Sequence, residues 1–115
     1  MKILITGAYG MLGSDLRDVL SSHDVIAAGS KDLDITDREK VLEFVKENSP
    51  DIVINAAAYT AVDDCETNFD EAYQVNAIGP RNLAIACREI DSPLVHISTD
   101  YVFDGTKKTP LIEDD

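Results

Sequence analysis

Gly7, Gly10 and Gly13 recur at three-residue intervals between an apolar run, Lys2 to Thr6, and a segment whose apolar residues Met11, Leu12, Leu16, Val19 and Leu20 return at helical spacing. A short Ile- and Leu-rich run closed by a glycine is the pattern of a strand buried on both faces. Ser14, Asp15, Arg17 and Asp18 supply the polar side of the helix that follows. A glycine-rich turn between strand and helix lets the main chain approach a ligand closely, and the first helical turn offers N–H groups with no partner inside the helix. That arrangement suits the diphosphate of a dinucleotide, with the last glycine allowing tight helix-to-strand packing. The competing possibility is a tight turn that binds nothing.

Strand and helix patterns then alternate. Asp24 to Ala28 is expected as a second short strand, and Lys31 to Thr36 as an irregular link with room for a brief edge strand. Asp37 or Thr36 is placed to cap a helix carrying Val41, Leu42 and Val45 on one face and ending before Pro50. Ile52, Val53 and Ile54 repeat the buried-strand signature and lead into the small loop Ala56-Ala57-Ala58. An acidic stretch from Asp63 to Glu71 precedes a long helical pattern through Ala72, Val75, Leu83, Ala86 and Ile90, interrupted or kinked at Gly79-Pro80. Leu94 to Ser98 makes a further buried strand. The expected fold is α/β, one Rossmann-like doubly wound parallel sheet, incomplete at about four to five strands, with Lys2 to Thr6 at its centre.

The 115 residues suit a single domain, residues 1–115. Ten Lys and Arg against 22 Asp and Glu give a net charge of −12, which disfavours binding to a nucleic-acid backbone. An anionic ligand must therefore be held by backbone dipoles and not by a cationic surface. Cys65 and Cys87 have neither the spacing of a metal site nor that of a disulfide framework, so no metal is expected and a reducing, cytoplasmic setting is. No apolar run reaches the roughly eighteen residues that span a bilayer.

Three further segments carry candidate chemistry, each at the carboxyl end of an expected strand, where ligands of open α/β sheets bind. After the second strand, Ser30 and Lys31 suit the 2′-phosphate of NADP while Asp32 suits the ribose hydroxyls of NAD, and a plain surface turn is the third possibility. Asp34 is placed either to accept a hydrogen bond from an adenine amino group, with Ile35 against the ring, or to cap the next turn. Ala57, Ala58 and Thr60 leave room for a ribose, or pack beneath a helix. In His96-Ile97-Ser98-Thr99-Asp100, a hydroxyl beside an acid can polarise a carbonyl undergoing reduction. His96 itself is expected to be a satisfied core residue, and His23 a surface one.

Taken together, the glycine turn, Leu33-Asp34-Ile35-Thr36-Asp37, the segment Asn55 to Asp63, Val75-Asn76 and Ser98-Thr99-Asp100-Tyr101-Val102-Phe103-Asp104-Gly105 resemble the dTDP-4-dehydrorhamnose reductase family of extended short-chain dehydrogenase/reductases. The resemblance implies NADPH- or NADH-dependent reduction of the 4-keto group of a nucleotide-sugar, dTDP-4-dehydro-L-rhamnose. It also implies a pyrophosphate cradle at Gly10, Met11 and Leu12, adenine contacts at Asp34 and Ile35, and ribose contacts at Ala57, Ala58 and Thr60. Thr99 corresponds to the catalytic hydroxyl, Asp100 lies beside it near the substrate, and Asn76 bridges the long helix to the active-site strand. The Tyr-x-x-x-Lys pair of that family has no match in the 115 residues. The chain is therefore expected to be an amino-terminal portion that binds cofactor, lacks the proton-donating tyrosine, and self-associates through the exposed edge of its sheet. A regulatory dinucleotide-binding protein, resembling the β subunit of methionine adenosyltransferase, is the alternative, and a fragment that binds nothing is the third possibility.

Overall fold

The computed structural model describes residues 1–59, 68–99 and 102–115. Thr60, Cys65 and Asp100 lie outside the described residues. Four parallel strands form one sheet in the order β2-β1-β3-β4, where β1 is Lys2–Thr6, β2 Asp24–Ala28, β3 Ile52–Asn55 and β4 Leu94–His96. Helices α1 (Met11–Val19) and α2 (Arg38–Asn48) connect the first three strands. Helix α3 (Phe69–Tyr73), a π-helical segment (Gln74–Ile78) and α4 (Gly79–Glu89) precede β4.

The alternation along β1 shows why it is central. Ile3 and Ile5 pack with Ala8, Leu16 and Leu20 on one face of the sheet, and Leu4 packs with Val41, Val45, Val53 and Leu83 on the other. Helices thus cover both faces, as the doubly wound pattern requires. Asp37 caps α2, its carboxylate accepting the Lys40 N–H at 3.2 Å. The helix ends on Ser49 in a left-handed conformation, φ 45°, just before Pro50.

Three expectations need correction. In α1, Met11 is 91 % exposed and Val19 78 % exposed, and Leu12 is exposed as well. The buried stripe instead runs through Gly13, Leu16 and Leu20. A Cβ at Gly13 would sit 2.0 Å from the Gly7 carbonyl oxygen, so the helix rests on the turn after β1 through its smallest residue, and that contact rotates the larger ones outward. Residues 31–36 form turns and hold no strand. The expected buried strand Leu94 to Ser98 is shorter, Leu94–His96, and largely exposed at Val95 and His96, because among the described residues β4 pairs with β3 alone. His96 is accordingly not a core residue.

Gly79-Pro80 interrupts the long helix as expected. Pro80 has no N–H to return to the Asn76 carbonyl four residues back, and the turn before it widens to π geometry. The Asn82 side chain, 2 % exposed, ties α4 to the link before α2 by donating to the Ile35 carbonyl at 2.9 Å. Among the described residues no helix is long and apolar enough to cross a membrane.

Candidate dinucleotide site

The strand order reverses between β1 and β3, and at that switch point the carboxyl ends of parallel strands leave a crevice. Gly7 leaves β1 with φ +65°, a conformation that L side chains rarely adopt. A Cβ there would meet Ala57 N at 2.5 Å and the Ala56 carbonyl at 2.6 Å, so Gly7 is wedged against the loop that leaves β3. Gly13 is equally constrained, with Ala8 Cα at 2.7 Å from its added Cβ. Gly10 differs: its added Cβ would meet only the Gly7 oxygen, at 3.4 Å, an ordinary contact. The fold itself requires Gly7 and Gly13 but leaves Gly10 open toward solvent.

Gly10 is also the N-cap of α1 and supplies no side-chain cap. The first intrahelical bond is from Ser14 N to Gly10 O, at 2.9 Å. The N–H groups of Met11, Leu12 and Gly13 thus have no acceptor within the helix. They stand above a turn with no side chain over it, where the helix dipole favours negative charge.

The Tyr9 ring packs beside Gly29 at the end of β2, a contact that sequence reasoning missed. A Cβ at Gly29 would lie 2.7 Å from Tyr9 Cδ2, so the ring spans the gap to the end of β2. Arg17 stacks its guanidinium 4.6 Å from the ring centroid and donates from Nε to the Ala8 carbonyl at 2.8 Å. The seven residues between Tyr9 and Arg17 carry no recognisable spacing, and only the folded turn brings the two side chains together.

At the end of β2, Gly29 N donates to the Asp32 carboxylate at 2.9 Å, which turns that acid onto its own backbone. Ser30 and Lys31 are exposed beside it. Asp34 is exposed and forms its own turn, accepting from Thr36 N at 3.0 Å and Thr36 Oγ1 at 2.6 Å. These bonds, the hydroxyl's first, hold the Asp34 carboxyl below the usual carboxylate value. Its charged form is favoured by folding, so its contribution is present above the ordinary carboxylate value and is lost as pH falls through the lower folded one. Thr36→Val is expected to raise the Asp34 midpoint toward that of a free carboxylate in an NMR titration. Ile35 lies in the core with its side chain against Gly79.

Ala57 is half-buried on the core and Ala58 is exposed. Asn76, in the π turn, clamps the main chain of Tyr59: its Oδ1 accepts the Tyr59 N–H at 2.8 Å and its Nδ2 donates to the Tyr59 carbonyl at 3.0 Å. Asn76, expected to bridge to the active-site strand, makes these bonds to the loop after β3. Thr99 lies exposed past the end of β4, on the same carboxyl side of the sheet. An open concavity lined by Val102, Asp104, Lys107 and Asp115 belongs to the single segment after β4 and lies apart from the glycine turn in sequence. No cluster of potential metal ligands occurs among the described residues.

A 2-1-3-4 parallel sheet with a glycine turn at its switch point defines a Rossmann-like α/β domain. The chain belongs to the family described as the RmlD substrate binding domain, whose model matches residues 1–115. It is 49 % identical over 117 residues to the dTDP-4-dehydrorhamnose reductase of Mycolicibacterium smegmatis, covering 99 % of this chain and 35 % of that protein. Among solved structures, a Clostridium acetobutylicum dTDP-4-dehydrorhamnose reductase matches with TM-score 0.93 and 51 % identity, over 100 % of this chain and 42 % of that one. The Bacillus anthracis dTDP-4-dehydrorhamnose reductase, solved in complex with NADP, matches with TM-score 0.87 and 44 % identity over 92 % of this chain and 39 % of its own. The chain thus spans about two-fifths of the length of these relatives.

Proposed function

We propose that residues 1–115 are the NAD(P)-binding domain of an NADPH- or NADH-dependent dTDP-4-dehydrorhamnose reductase. The observation that carries this is Gly10, the one glycine of the turn whose missing side chain the fold does not use. The Met11, Leu12 and Gly13 amides would hold the diphosphate, with Gly7 and Gly13 setting the turn that aims them. Ala57, Ala58 and Thr60 would floor the ribose, and Asp34 with the neighbouring main chain at Ile35 would meet the adenine. When bound, the nicotinamide supplies the hydride. Thr99 would donate its hydroxyl to the keto oxygen of the nucleotide-sugar, with Asp100 alongside. The proton donor of the family, the tyrosine of Tyr-x-x-x-Lys, is not among these 115 residues. Cofactor binding is therefore the activity assigned to this chain, in a cytoplasmic setting that suits the free, buried Cys87.

The exposed hydroxyl of Ser30 and cation of Lys31, which suit a 2′-phosphate, favour NADPH. Calorimetric titration with each reduced cofactor is expected to show NADPH binding the more tightly. Equal heats of zero for both would remove the assignment and favour a fragment that binds nothing.

Val95 in β4 and Ile97 just beyond it are 41 % and 45 % exposed, and the far side of that strand has no partner among the described residues. Self-association through this edge is expected, opposed by the net charge of −12. Sedimentation at rising concentration should show dimers or larger species that salt promotes; a monomer throughout would contradict it.

A further inference from the structure

Thr6, Asn55 and His96 are register partners across β1, β3 and β4. They form a polar row at the last position of three adjacent parallel strands, two residues beyond the apolar row Leu4, Val53 and Leu94. Thr6 and Asn55 are buried, and His96 closes the row at its exposed end. Thr6 Oγ1 donates to Asn55 Oδ1 at 2.6 Å, and Ala57 N donates to the same oxygen at 3.1 Å. Both acceptor sites of that oxygen are then used, and the amide NH2 points at His96 Nδ1, 3.1 Å away. An NH2 group only donates, so Nδ1 must accept, and the neutral ring carries its proton on Nε2.

We propose that His96, as this Nε2–H tautomer, is a positioning residue: it fixes the orientation of the Asn55 amide and through it the Ala57 N–H, which seats residues 56–58 against Gly7. A flipped Asn55 amide would turn its NH2 toward the Ala57 N–H, donor against donor. The Thr6 hydroxyl can rotate to accommodate such a flip, but the main-chain N–H cannot. The Ala57 N–H and the nitrogen lone pair of His96 together make the productive orientation the better one. The link to cofactor affinity rests on the proposed dinucleotide site; the tautomer and the seating of Ala57 do not.

The test uses the whole chain. Long-range 1H–15N correlation at neutral pH should show His96 with an unprotonated Nδ1, while exposed His23 samples both tautomers; a predominantly Nδ1-protonated His96 would overturn the proposal. His96→Leu, which removes the acceptor, should speed hydrogen exchange at Ala57 N–H and weaken NADPH binding by about fivefold, the worth of one hydrogen bond. His96→Asn, whose Oδ1 can replace Nδ1, should restore both. Unchanged exchange and affinity in the leucine variant would show that water replaces the ring and would overturn the role. Exchange at Ala57 that depends on His96 in a chain with no NADPH affinity would sustain the positioning of the loop and remove the cofactor assignment instead. If the leucine variant does not fold, the tautomer of the unmodified chain decides.

Discussion

Gly10→Val is expected to abolish NADPH binding while the chain stays folded. The site of the added Cβ has a single neighbour, the Gly7 oxygen at 3.4 Å, and the backbone there is extended, φ −77° and ψ −178°, which valine tolerates. Loss of the favourable glycine N-cap should cost no more than about 1 kcal/mol. The effect on binding is of another size. The valine methyl groups would occupy the volume above the Met11, Leu12 and Gly13 amides. Each charge-assisted bond to a diphosphate is worth about 1.5–3 kcal/mol, so the loss of two weakens binding more than about a hundredfold. Far-UV circular dichroism and calorimetric titration read the two halves of the prediction separately. Unchanged affinity would take the glycine turn out of the account.

Gly13→Ala should do the reverse, breaking the fold and not merely the site. Its Cβ would fall 2.0 Å from the Gly7 oxygen and 2.8 Å from Ala8 C, and neither is the end of a flexible side chain. The turn cannot retreat, because Gly7 is itself pressed against Ala56 and Ala57. Helix α1 must therefore lift from β1, loosening the Ile3, Ile5, Ala8, Leu16 and Leu20 cluster that covers one face of the sheet. Overpacking of this severity costs about 3 kcal/mol or more, a large share of the stability of an ordinary domain. Urea unfolding should show the midpoint fall steeply for Gly13→Ala and barely move for Gly10→Ala. Comparable losses at the two positions would mean that Gly10 also serves the fold.

The difference between these glycines marks the limit of what the sequence reveals. Their spacing, with a strand before and a helix after, announced the turn, and the buried runs of β1 and β3 placed it at the centre of a parallel sheet. The sequence assigned the last glycine, Gly13, to helix packing, but not the wedging of Gly7, which depends on Ala56 and Ala57, more than 40 residues away. Non-local pairing likewise hid the exposure of β4, whose apolar run reads as an inner strand although it lies at the edge of the described sheet. Asp34 and Asp32 were recognisable as candidate ligands, and Asp34 also as a turn cap; that the Asp32 carboxylate closes its own turn became visible only in the folded chain. Ile35 was expected against an adenine ring and lies in the core, because Gly79 leaves a notch in α4 that fits it. Hydrophobic periodicity misread α1 for a related reason: a scale that scores side chains overlooks a contact made by a glycine.

The central claim is that main-chain amides at the start of α1 hold a nicotinamide dinucleotide by its diphosphate. Amide-resolved 1H–15N NMR of the chain titrated with NADPH tests it most directly. The account predicts that the largest shifts fall on the N–H groups of Met11, Leu12 and Gly13, saturating together with those of Ala57 and Ala58. Saturable binding that leaves the Met11, Leu12 and Gly13 amides unmoved, or no shift anywhere at millimolar NADPH, would contradict it.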